Sequence, residues 1–81
     1  MKPRTKSLGT KNIVGANVCK LRKLHNMSQK ELAIGMQLKG VDINYTSLSK
    51  LEGQTRVATD IETYAIAQIF DIKVDGLFRS I

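Results

Sequence analysis

Two four-residue strings, SQKE at 28–31 and TDIE at 59–62, constrain this chain more than anything else in it. In each, a hydroxyl residue is followed three positions later by Glu. At the start of a helix the hydroxyl accepts the N–H of the third helical residue, and the Glu carboxylate reaches back to the N–H of the cap. Each string therefore fixes where a helix begins, with Ser28 and Thr59 as the caps. Asp60 adds a carboxylate suited to the positive end of the helix dipole. The residues after both caps have helical spacing. Leu32, Ala33 and Met36 make one inward stripe; Ile61, Ala65, Ile66, Ile69 and Phe70 make another. Met27, just ahead of the first cap, is placed to staple onto Leu32.

Two more helices complete the pattern. Val14, Val18, Leu21 and Leu24 or His25 predict a helix from about Asn12 to His25, with Lys20 and Lys23 on its other side. Asn26 supplies its stop, since Asn tolerates left-handed backbone. Asn44 is an N-cap residue type and opens a third helix in chain order that runs to Glu52. At about 100° per residue, Leu48 and Leu51 fall near 40° and 340°, while Tyr45, Ser49, Thr46 and Lys50 fill the opposite arc from near 100° to 240°. That outer face carries hydroxyls and one amine, and no acid. The stretch DIKVDGLF is long enough for a turn or a short fifth helix, with Leu77 and Phe78 closing the core. No β-branched alternation suggests a sheet, and no repeat is present. The expectation is an all-α domain of five short helices.

At 81 residues the chain holds one small domain, placed at 12–79. A domain of this size buries only about 60% of its unfolded surface, so its core is marginal. Cys19 is the one Cys and His25 the one His, which leaves no internal disulfide and no zinc ligand set, and points to a reducing compartment. The basic opening MKPRTKSLGTK lacks the apolar run of about 7–15 residues of a signal peptide. No segment approaches the roughly 20 apolar residues of a membrane span. The expected location is the cytoplasm. Residues 1–11 have no apolar periodicity and read as a flexible basic arm.

The net charge of +6 is uneven. Residues 1–30 carry eight basic side chains and no acid; residues 31–50 balance; residues 51–81 hold five acids against three basic groups. That polarity suggests an anionic partner for the front half, with nucleic acid ahead of a membrane surface. The motifs of catalysis are missing: no Gly-rich phosphate loop, no Cys–His pair in a workable context, no Ser, His and Asp brought together. No enzymatic activity, metal, cofactor or small-molecule effector is expected.

The strings VGANVCKLRKLHNMSQKELA, TSLSKLEGQTR and DIETYAIAQIFDIKVDGLF, in this order, resemble the Cro/repressor-type helix-turn-helix family, also called the Xre family. The resemblance covers Val14 to Phe78. It implies a compact five-helix, lambda-repressor-like DNA-binding domain whose third helix, about 44–52, lies in the major groove. Tyr45, Thr46, Ser49 and Lys50 match the family's base readers. Gln29, Asn44, Ser47, Thr55 and Arg56 match its phosphate contacts, which position the protein without selecting sequence. Arg22 and Glu52 match an Arg–Glu ion pair that locks the third helix against the first. The chain departs from the family at QLKGVDI, between Met36 and Asn44. The family's turn there is about three or four residues, so this connection is longer. Val41 and Ile43 are expected to tuck it onto the core, and Lys39 is a candidate for an extra phosphate contact.

The implied function is a DNA-binding transcriptional regulator, a repressor, acting on double-stranded DNA. A homodimer on a roughly palindromic operator is expected, because one domain this small reads few base pairs alone. The alternative within the same family is an antitoxin or an adaptor that holds another protein.

Overall fold

The computed structural model describes residues 11–79. Among them are four α-helices and a 3₁₀ helix, and no strand: α1 (Gly15–Leu24), α2 (Gln29–Leu38), α3 (Tyr45–Glu52), α4 (Asp60–Ile69) and the 3₁₀ helix Val74–Phe78. The fifth element is thus a 3₁₀ turn rather than a fifth α-helix. Apart from Lys11, the basic arm expected over 1–11 lies outside the described residues.

The N-termini form as the side chains dictate. Ser28 Oγ accepts the Glu31 N–H at 3.0 Å, and Glu31 returns to the Ser28 N–H at 2.8 Å. Thr59 and Glu62 repeat this reciprocal cap on α4. Asn44 Oδ1 accepts the Ser47 N–H at 2.7 Å and caps α3. Helix α1 starts three residues later than the spacing predicts. Asn12 bonds forward through Oδ1 to the Gly15 N–H at 2.8 Å, so the chain makes a turn before the helix proper.

The four C-termini share one device. After each last turn a residue takes positive φ: Asn26 (53°), Gly40 (88°), Gln54 (62°) and Asp71 (56°). Each sits in a paired bonding pattern. Its own N–H reaches back to the second-last helical carbonyl, and the next N–H reaches the residue before that, as in Met27 to Arg22 and Val41 to Met36. This is the Schellman closure, which satisfies carbonyls that a helix end otherwise leaves open. Only Gly40 occupies this position free of the steric cost of a side chain.

The core is one cluster drawn from all these elements. Val18, Leu32, Met36, Leu48, Leu51 and Ile66 are fully buried within it. Helix α3 packs against α1 and α2, α4 packs on α2, and the 3₁₀ helix closes against α1 and α4. Val41 and Ile43 are buried, and Gln37 Nε2 donates to the Ile43 carbonyl at 2.7 Å, so the long α2–α3 connection is pinned rather than loose. Three apolar residues expected inside are not. Leu24 is 70% exposed because α1 closes just beyond it, and His25 instead lies against the Phe70 ring with centroids 5.0 Å apart. Ile61 is 65% exposed because buried Glu62 and Thr63 take the inner positions of the first turn of α4. Phe78 is 51% exposed, leaving Leu77 alone to close the core there.

The crossing of α1 and α3 is unusually close. A Cβ placed on Gly15 would lie 2.2 Å from the Leu51 carbonyl oxygen and 2.9 Å from Gln54 Cγ. Asn12 binds the same region, donating from Nδ2 to the carbonyls of Leu51 at 3.1 Å and Arg56 at 2.7 Å. Backbone therefore meets backbone where α1 begins and α3 ends.

Candidate nucleic-acid interface

Helix α3 divides into the two faces its sequence implies. Leu48 and Leu51 are fully buried, while Tyr45, Thr46, Ser49 and Lys50 are exposed and bear no negative charge. Two Arg–Glu forks hold this helix in place. At its C-terminal end Glu52 is buried and accepts from Arg22 Nε at 2.9 Å and Nη2 at 3.1 Å. Arg22 also donates from Nη1 to the Met27 carbonyl at 2.9 Å. The hydrogen bond and charge of Glu52 hold the Arg22 guanidinium protonated more firmly than usual, against the opposing effect of burial. Gln29 Nε2 donates to Glu52 Oε1 at 3.0 Å. One carboxylate thus joins α1, the start of α2 and the end of α3.

The second fork lies on the loop after α3. Arg56 donates from Nη1 and Nη2 to the two carboxylate oxygens of Glu62, at 2.9 and 2.8 Å. Its Nε reaches the Ser47 carbonyl at 2.9 Å, and Nη1 the Val57 carbonyl at 2.7 Å. Four of its five N–H groups are therefore engaged, and one on Nη2 is left for any phosphate. Arg56, expected as a phosphate contact, is first a brace between α3 and α4. Thr55 is similarly committed: its hydroxyl donates to the Lys50 carbonyl at 3.2 Å.

The remaining phosphate candidates are freer. Asn44 uses its amide oxygen as the cap and keeps its N–H₂, and the Ser47 hydroxyl has no partner among the described residues. Gln29 retains one side-chain N–H. The backbone N–H groups of Gln29 and Lys30, in the first turn of α2, have no intrahelical carbonyl to bind, which makes that end suited to an anion. Lys39 is exposed at the C-cap of α2.

Several residues that organise this face carry no such signal in the sequence. Spacing marks Glu62 as a cap only, Asn12 as a helix start, and Gln54 as part of a loop. Gln54 is buried, with Nε2 donating to the Asn12 carbonyl at 3.3 Å. These roles depend on partners 39 to 44 positions away, except for Arg56–Glu62, whose separation of six across a turn carries no sequence signature.

The Glu62 fork has a consequence for pH. Burial pushes its carboxyl up, but the hydrogen bond and charge of Arg56 and the Thr59 N–H outweigh this, and the net shift is below the ordinary 4.5. A depressed folded value means the stabilisation is fully present above the unfolded value and is lost as pH falls through the folded one. Stability measured by urea unfolding is expected to fall as pH drops below about 4.5. Glu62→Gln should flatten part of that fall. An unchanged acid limb in Glu62→Gln would contradict the assignment.

Among the described residues no helix is long and apolar enough to cross a membrane, and no cluster of His, Cys, Asp and Glu is placed to hold a metal ion. Comparison with protein-family models, curated proteins and solved structures finds no match to this chain.

Proposed function

We propose that this chain is a sequence-specific DNA-binding transcriptional regulator, a repressor of the Cro/repressor helix-turn-helix kind, that lays α3 in the major groove of a roughly palindromic operator as a homodimer. The observation that carries the reading is the acid-free outer face of α3, held at its C-terminal end by the buried Arg22–Glu52 ion pair and in its first turn by the hydrogen bond from Arg56 to the Ser47 carbonyl. A helix that reads base edges must be fixed to a fraction of an ångström, and its exposed side must not repel phosphates. Tyr45, Thr46, Ser49 and Lys50 are the base readers. Lys50 donates to guanine O6 and N7, and Thr46 offers a methyl to thymine or a hydroxyl to several edges. Gln29, Asn44 and Ser47 hold backbone phosphates, with Thr55 and Arg56 shaping the loop beside them. The uneven charge of the chain brings DNA to its basic half.

The test is selection of bound sites from a random duplex pool, repeated with Lys50→Ala. The wild type should enrich a two-fold related motif. Lys50→Ala should lose discrimination at one base pair per half-site, by about 1–3 kcal/mol, while retaining the rest of the motif. Enrichment of no motif would overturn the reading, and an unchanged motif in Lys50→Ala would remove Lys50 from the readers.

A second reading, an antitoxin or protein-binding adaptor, is favoured by one observation. Ile34 and Leu38, four apart on α2, are 50% and 83% exposed. In that case a partner protein would cover α2, and duplex DNA would bind no better than to any basic surface.

A further inference from the structure

Among the described residues every Arg is committed to an acid and no Lys is: Arg22 pairs with Glu52, Arg56 with Glu62 and Arg79 with Asp75. The Arg56 pair differs from the other two in where it lies. Arg56 Nε donates to the Ser47 carbonyl at 2.9 Å, in the first turn of α3. Its guanidinium therefore stands against the flank of the helix whose exposed arc carries Tyr45, Thr46, Ser49 and Lys50. Both Nη atoms are turned to Glu62, at 2.9 and 2.8 Å. The two side chains are 23% and 10% exposed, so the pair lies just beneath the surface. Glu62 is also fixed from behind, since Oε1 accepts the Thr59 N–H at 2.9 Å in the cap of α4.

We infer that Glu62 withholds Arg56 from the DNA backbone and so limits the affinity of this chain for duplex of any sequence. The inference rests on the DNA-binding reading, which puts α3 in the major groove. That groove is about 12 Å wide and is walled by phosphates, so a cation against the flank of α3 has one within reach. An Arg fork fits a phosphate as well as it fits a carboxylate. With its charge answered by Glu62, Arg56 displaces no counterion when duplex binds, and adds nothing to the sequence-independent attraction. The neutral donors of Gln29, Asn44 and Ser47 still position the protein, while the non-specific part of its affinity is trimmed. Glu62→Gln reverses this. It keeps an oxygen for the Thr59 N–H but turns an N–H₂ towards Arg56, donor against donor. The Nη edge of Arg56 then comes free, with Nε still on Ser47.

The test is the affinity of the intact chain for random-sequence duplex, measured between about 50 and 200 mM salt. Glu62→Gln should bind roughly tenfold more tightly at about 100 mM, and its plot of log K against log salt should steepen by about one. Glu62→Gln combined with Arg56→Gln should return to the wild-type slope. Asp60→Asn removes an exposed acid from the same helix turn and should leave the slope nearly unchanged, because it releases no Arg. Should Glu62→Gln lose its helical signal, the wild type decides by itself: the side-chain N–H resonances of Arg56 should stay in place at saturating duplex. An unchanged slope in Glu62→Gln, an equal rise in Asp60→Asn, or Arg56 resonances that move in the wild type would each overturn the inference and leave the DNA-binding reading standing. A wild type that binds no duplex at the lowest salt would end both.

Discussion

Glu52→Ala is expected to lower the stability of this chain by about 3–5 kcal/mol, the usual cost of removing one partner from a buried ion pair. The side chains of Arg22 and Glu52 are only 13% and 4% exposed, so the orphaned guanidinium is poorly hydrated. The loss is compounded because Gln29 gives up its acceptor in the same step. A chain of 81 residues has roughly 4–12 kcal/mol in total, at about 0.05–0.15 per residue, so the loss takes from about a quarter of the stability to all of it. Urea unfolding reads this as a fall in midpoint at constant slope. The contrast is Asp75→Ala. Its pair with Arg79 is 66% and 74% exposed, and an exposed ion pair contributes about 0–1 kcal/mol. Equal losses in the two variants would show that Glu52 is no brace.

Gly15→Ala reverses the ordinary sign. At a position whose backbone and surroundings accept a side chain, exchanging Gly for Ala stabilises by roughly 0.4–1 kcal/mol, because Gly has more backbone freedom to lose. Here the new methyl would lie 2.2 Å from the Leu51 carbonyl oxygen, a main-chain atom already bound by Asn12 Nδ2 and the Gln54 N–H. Nothing flexible is available to yield, so α1 and α3 must separate. A loss of about 3 kcal/mol, the upper end of overpacking costs, and a Tm lower by roughly 10 °C or more are expected. Gly35→Ala is the internal comparison. Its nearest neighbour is the far end of the Ile69 side chain at 3.3 Å, which can rotate away, and the change should be close to neutral. If both substitutions were neutral, the tight α1–α3 crossing would be wrong.

The physical reasons that make parts of this fold legible are local. A capping box is a reciprocal bond between residues three apart, so Ser28–Glu31 and Thr59–Glu62 can be read from the chain and form as read. The buried stripe of α3 follows from spacing alone. The features that escape a sequence reading are decided by residues far apart in the chain. Helix α1 starts late because Asn12 bonds to Leu51 and Arg56 as well as to Gly15. Ile61 has a core residue's chemistry at an exposed position, because Glu62 is drawn inward by Arg56. Arg56 itself looks like a free cation in sequence and becomes a brace only when α4 folds beside the loop. Of the candidate site, the outer face of α3 is readable from angles and composition. Which of its neighbours remain free to meet a phosphate is not, because hydrogen bonds within the fold take up some donors and leave others.

The central claim, that α3 and the basic half of this chain engage duplex DNA, is tested most directly by affinity measured as salt is raised. Log K should fall linearly with log salt, by about 100-fold between about 50 and 200 mM, the loss that roughly four neutralised phosphates produce. A flat response, or no duplex binding at the lowest salt, would contradict it.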